Sequence, residues 1–190
     1  KSKHRALVSP YIIREETELT SIHDEFFVKV SKSVKEKEPD PKKQYDALMQ
    51  AYFDHTGDFG KTLSPRDAGA LLAYRVATEM GVTTRLKNGS DVFLKNMTHA
   101  PITDALLREV LILKKGAKPG FKNVSEMGGA LKPMEGYEFD VRTNTKGEMT
   151  VKLLLRGKQY DIDLDKLKDL AKYGKDVLAK VKATATAEKK

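Results

Sequence analysis

Cysteine is absent from the chain, which excludes disulfides, thiolate metal sites and cysteine nucleophiles. Long apolar runs are absent too. Runs such as 110–113 and 153–155 fall far short of the roughly 20 residues that cross a bilayer as a helix, and residues 1–14 lack the apolar centre of a secretory signal. Aromatic residues make up only 7% of the chain, and no segment with strand alternation carries the aromatic platform of an RNA-binding sheet. The four histidines, His4, His23, His55 and His99, lie too far apart for a zinc motif. His55 is the most site-like of them, flanked by Asp54 and Asp58 in a glycine-bounded loop. That loop is out of phase with a calcium-binding pattern. No serine sits in a nucleophile elbow and no phosphate-binding P-loop occurs. No catalytic residue, resident metal or cofactor is therefore assigned from the sequence.

What is abundant is charge. Of 190 residues, 33% are charged, and 35 Lys and Arg outweigh 27 Asp and Glu to leave a net charge of +8. Together with 39% hydrophobic residues, this describes a soluble globular protein with a heavily charged surface; the sequence assigns no compartment, the cytoplasm or a viral particle being the expected settings. A basic balance of this size permits a polyanionic partner.

The pattern along the chain predicts an α+β protein, mainly helical first, then a three-stranded antiparallel meander and a C-terminal helix. Residues 1–14 read as a basic arm, 15–115 as a helical region, 116–136 as a Gly/Pro-rich basic connector, 137–182 as the meander with its helix, and 183–190 as a flexible tail. In the meander, Tyr137, Phe139 and Val141, then Met149, Val151, Leu153 and Leu155, then Tyr160, Ile162 and Leu164 share one face. Breaks are expected at Asn144–Gly147 and at Gly157-Lys158, where tight turns need positive φ.

Within the helical region, Asp40-Pro41 and Ser64-Pro65-Arg66-Asp67 are helix starts, each with a capping side chain before a proline. Gly81 is expected to close the helix that Ser64 opens, Ser90 to cap a short helix, and Thr103 to cap one whose apolar stripe runs through Leu111 and Leu113. Gly174 costs the last helix about 1 kcal/mol relative to alanine and marks a place for a break or kink.

Three readings of function follow. The connector carries Lys114, Lys115, Lys118, Phe121 and Lys122 among glycines. Glycines let a backbone approach phosphates, lysines neutralise them, and an aromatic ring can stack on a base. With Lys1, Lys3 and Arg5 as a second contact, this suits a non-catalytic protein that engages DNA or RNA, or a nucleoprotein assembly, mainly through phosphates. The alternative is a structural or adaptor subunit of a larger assembly, a virion or secretion component, whose partners are other protein subunits. The third is a metal-dependent phosphodiester enzyme using Asp161 and Asp163, with Asp165, Glu138 and Asp140 nearby. The same acids also suit a solvent face and a helix cap.

Overall fold

The computed structural model describes residues 24–60, 62–86, 100–132 and 135–187. Lys1, Lys3, Arg5 and Ser90 lie outside these residues. In chain order the elements are α1 (Asp24–Lys37), α2 (Pro41–Asp54), α3 (Pro65–Thr83), α4 (Ala100–Val110), β1 (Leu111–Ile112), a 3-10 turn (Val124–Met127), β2 (Tyr137–Thr143), β3 (Met149–Leu155), β4 (Lys158–Ile162) and α5 (Leu164–Ala187). The fold is α+β.

Local chemistry explains most of these boundaries. Asp40 accepts a hydrogen bond from the Lys42 N–H at 3.0 Å and Pro41 begins α2. Ser64 Oγ accepts the Asp67 N–H at 3.2 Å and Pro65 begins α3. Each cap satisfies a donor that the first helical turn leaves without an intrahelical partner. Asp163 does the same for α5, accepting from the Lys166 N–H at 2.8 Å.

The sheet has four antiparallel strands in the order β1-β4-β3-β2, not three. The added strand comes from residues expected to finish a helix. Leu111 leaves α4 and pairs with Ile162, and Ile112 pairs with Asp161. The run Leu111-Ile112 follows Val110, and aliphatic residues of this kind suit a pleated, buried edge as well as a helical stripe. A bond from the Gly120 N–H to the Leu111 carbonyl at 2.7 Å takes the chain out of helical geometry.

In the meander, residues expected on one face pair across the strands: Tyr137 lies opposite Leu155, Phe139 opposite Leu153, and Val141 opposite Val151, while Leu153 also faces Tyr160. These residues join the helices in one hydrophobic core. The second turn shifts by one residue, so that Arg156 and Gly157, both at positive φ, join β3 to β4. Leu164, expected at a strand end, is the first residue of α5.

Three further expectations are corrected. The α3 helix passes through Gly81 to Thr83. Thr103 lies buried inside α4, which begins at Ala100, and does not cap it. The α5 helix runs through Gly174 without interruption and continues to Ala187, taking in 183–187 from the expected tail. The reason for Gly174 is tertiary: a Cβ there would overlap the Ala70 carbonyl of α3. Its missing side chain is what lets α3 and α5 pack at this distance, and that packing outweighs the local helix penalty.

Residues 116–136 differ most from expectation, because their breakers shape a packed strap. Phe121, Val124, Met127, Ala130 and Leu131 are buried in the common core. Asn123 and Glu126 form a reciprocal capping box around the 3-10 turn. From α2, the Gln50 side chain donates to the Lys122 carbonyl at 3.1 Å and accepts from the Val124 N–H at 3.0 Å.

Candidate functional site

Where α2, α3, α4 and the first half of the strap meet, the surface opens into a cleft of about 740 Å³. Five basic side chains line it, Arg66, Arg108, Lys118, Lys122 and Lys166, against two carboxylates, Glu109 and Glu126. Its apolar wall is aromatic: Phe53, Phe59 and Phe121, with the His55 ring beside them.

The basic groups are positioned in different ways. The Arg108 guanidinium lies 4.8 Å from the centre of the Phe53 ring and donates through Nη1 to the Phe53 carbonyl at 2.8 Å. That cation–π contact and hydrogen bond hold it against the wall. Lys166 reaches from α5 to Glu109 at 3.0 Å. Arg66 follows the Ser64-Pro65 cap and lies 5.1 Å from the centre of the Tyr173 ring. Tyr173 is held in turn by its hydroxyl, which donates to Asp67 at 2.5 Å. Lys118 and Lys122 have no ion-pair partner among the described residues.

Gly120 is what separates the lysines from the core. It sits at φ +95°, and a side chain there would run into the Arg108 carbonyl. The backbone reversal sends Lys118 outward and Phe121 inward, with the Phe121 N–H bonded to the Arg108 carbonyl at 3.3 Å. Few side chains tolerate both the conformation and the close approach.

The predicted site residues therefore divide. Lys118 and Lys122 line the cleft; Lys114 and Lys115 are exposed on the chain leading to it, outside its lining. Phe121 is only 6% exposed and packs against Phe53, with ring centres 6.2 Å apart. It forms the floor and cannot stack on a base, because burying its ring here is worth about 2–3 kcal/mol that exposure would forfeit. Sequence reasoning missed Arg66, Arg108 and Lys166, which come from three helices far apart in the chain and meet only in the fold. Their sequence signal is no stronger than that of any surface cation.

Glu126 accepts hydrogen bonds from the Asn123 and Lys122 N–H groups at 2.8 and 2.9 Å. These bonds, with the nearby charges of Lys122 and Lys114, hold its carboxyl below the usual range. It stays ionised and subtracts one charge from the cleft.

The acids of the meander are committed elsewhere. Asp161 pairs with Lys152 across β3 and β4, Asp163 caps α5, Asp165 pairs with Lys168 at 3.4 Å, and Asp140 pairs with Arg142 at 3.0 Å. Among the described residues no group of three or more His, Asp or Glu side chains is placed to hold a metal ion, and no helix is long and apolar enough to cross a membrane.

A second polar cluster lies under the other half of the strap. Asp104, fully buried, accepts the Leu131 N–H at 3.2 Å, and Asp46 accepts the Ala130 N–H at 2.9 Å. Arg156 donates to the carbonyls of Met127, Gly129 and Ala130 at 2.9, 3.1 and 3.0 Å, and to both oxygens of Glu135. Burial pushes the Asp104 carboxyl up to about 7, against the opposing pull of the Leu131 N–H and of Arg156. The Arg156 side chain holds Glu135 down to about 2. Tyr45, beside this cluster, is raised to about 12 by burial and by the charges of Asp104 and Asp46.

No protein-family model matches the chain, and no curated protein and no solved structure shows significant similarity to it.

Proposed function

We propose that this protein is a non-catalytic binder of nucleic acid, alone or within a nucleoprotein assembly, and that it grips the phosphate backbone with the cationic cleft. The observation that carries this reading is the balance of charge around one concave surface. Two of its five basic groups are held in place internally, Arg108 by Phe53 and Lys166 by Glu109, while Lys118 and Lys122 project with no ion-pair partner among the described residues and Arg66 rests on a ring face. Five basic groups against two carboxylates around one cleft raise the local potential and favour a polyanion that can neutralise the surplus while releasing its own counterions. Lys114 and Lys115 extend the same basic surface along the strap.

Lysine and arginine side chains can grip phosphates without reading sequence, so binding is expected to be tolerant of sequence and steep in salt. Fluorescence anisotropy with random single- and double-stranded oligonucleotides, titrated across salt, tests this on the intact chain and on a variant with Lys114, Lys115, Lys118 and Lys122 all changed to alanine. Binding that weakens linearly in log–log form with added salt, with a slope that shrinks in the variant, is the expected result. No binding at low salt overturns the reading and turns the search to protein partners.

A further inference from the structure

Part of the cleft lining is aromatic. The His55 and Phe59 rings meet edge to face at 4.7 Å, and both pack on the Phe26 ring, at 5.0 and 5.1 Å. Phe26 is buried and Tyr52, next to it, is fully buried. His55 and Phe59 themselves are only half-buried and line the cleft. The imidazole is further held by its Nε2, 3.2 Å from the Asp58 carbonyl. Two ring systems are thus packed against the core and line the same concavity as Lys118, Lys122 and Arg66.

We propose that this rim stacks an unpaired base, which makes the preferred ligand of the cleft single-stranded nucleic acid. The inference rests on the cleft being a phosphate-binding surface, as argued above. Phosphates running over Lys118, Lys122 and Arg66 would carry the attached nucleotide past His55 and Phe59, and a base has a flat π-face that aromatic side chains accept whatever its identity. A duplex keeps its bases stacked on one another and offers no such face. Basic groups and aromatic rings lining one groove are the combination by which single strands are held without reading their sequence. The rings are already packed in place, so little side-chain freedom is lost on binding.

The test compares ligands before it changes the protein. Affinities of the intact chain are measured at one salt concentration for a single-stranded oligothymidine, an abasic deoxyribose-phosphate strand of the same length, and a duplex of that length. Stacking of one base is expected to make the thymidine strand bind about tenfold tighter than the abasic strand, and tighter than the duplex. A strand carrying 2-aminopurine should be quenched on binding. Phe59→Leu and His55→Gln, each checked by thermal melting, should narrow the gap between thymidine and abasic strands. Equal affinity for the thymidine and abasic strands overturns the stacking proposal and leaves phosphate binding standing. A preference for duplex overturns it as well. No binding of any strand at low salt overturns the phosphate reading itself. A full thymidine advantage in both variants, with both still folded, overturns the assignment to this rim. The comparison of ligands on the intact chain needs no substitution, so loss of folding in Phe59→Leu does not protect the proposal.

Discussion

The two halves of the strap between β1 and β2 begin with the same chemistry, glycines mixed with charged and apolar residues, and end in opposite states. In the second half the main chain is held by charged side chains from the rest of the fold, and of its own charges Glu135 is paired with Arg156 while Lys132 is exposed. Arg156 satisfies three strap carbonyls and Glu135, and Asp46 and Asp104 take the N–H groups of Ala130 and Leu131. The first half buries Phe121 but leaves Lys118 and Lys122 without ion-pair partners among the described residues. Charges buried in a folded chain are paired because desolvation makes an orphan costly. Charges that remain unpaired on a concave surface carry no such stability requirement, and that freedom is what a binding site needs. The comparison separates the anchor of this segment from its working face.

Breaking the anchor should have the largest effect. Arg156→Ala removes the donors for the Met127, Gly129 and Ala130 carbonyls and leaves Glu135 without its cation. The expected loss is about 3–5 kcal/mol, from three partly buried carbonyls left without a charged donor. At about 2–4 °C per kcal/mol for a chain of this size, calorimetry should show the midpoint falling by roughly 6–20 °C. An unchanged melting temperature would mean that the strap is not held by this side chain.

Next comes the pH response of Asp104. Its folded-state pKa lies near 7 against an ordinary 3.8, so the folded chain keeps a proton that the unfolded chain releases. Stability from this group is complete below about pH 4 and is lost as pH rises through about 7. Asp104→Asn mimics the protonated form and can still accept from Leu131. It should match the parent at pH 4 and exceed it by about 4 kcal/mol at pH 8, as read by urea unfolding at the two values. A constant difference across that range would contradict the assignment.

On the working face the prediction reverses. Changing Lys114, Lys118 and Lys122 together to alanine should alter stability by no more than about 0.5 kcal/mol. The same change should weaken oligonucleotide binding about tenfold at moderate salt and reduce the salt slope by about 2, at roughly 0.7 per phosphate on a single strand. A large drop in melting temperature instead would show that these lysines belong to the anchor. The smallest effect is expected from Glu126→Gln, which keeps an acceptor for the turn and removes one negative charge. Affinity for oligonucleotides should rise about threefold, and less at high salt.

The sequence made the local features legible. Period-two alternation located three strands and their facing residues, since a strand with one buried face leaves that signature. Proline after a capping Asp or Ser located the starts of α2 and α3. The fourth strand was not legible, because Leu111-Ile112 is as apolar as the helix before it and becomes a strand only by meeting Ile162 and Asp161. Nor was the packed nature of the strap, since its glycines and prolines announce turns without saying what the turns are fastened to. Gly174 shows the limit from the other side: its local cost suggested a break, and its function is the approach of α3.

Of the candidate site, the sequence identified Lys118 and Lys122 as basic residues among glycines and His55 as the most site-like histidine. The same reading placed Phe121 outward, and only packing against Phe53 turns it in. Arg66, Arg108 and Lys166 were invisible as a group, being separated by whole helices. What the sequence by itself determined is therefore the kind of element each stretch forms, its apolar face and its surplus of positive charge, all of which depend on near neighbours along the chain. Only the tertiary structure decided which charges are consumed by pairing and which remain around a shared cleft, because desolvation and Coulomb energies depend on distances in space that neighbours in sequence do not set.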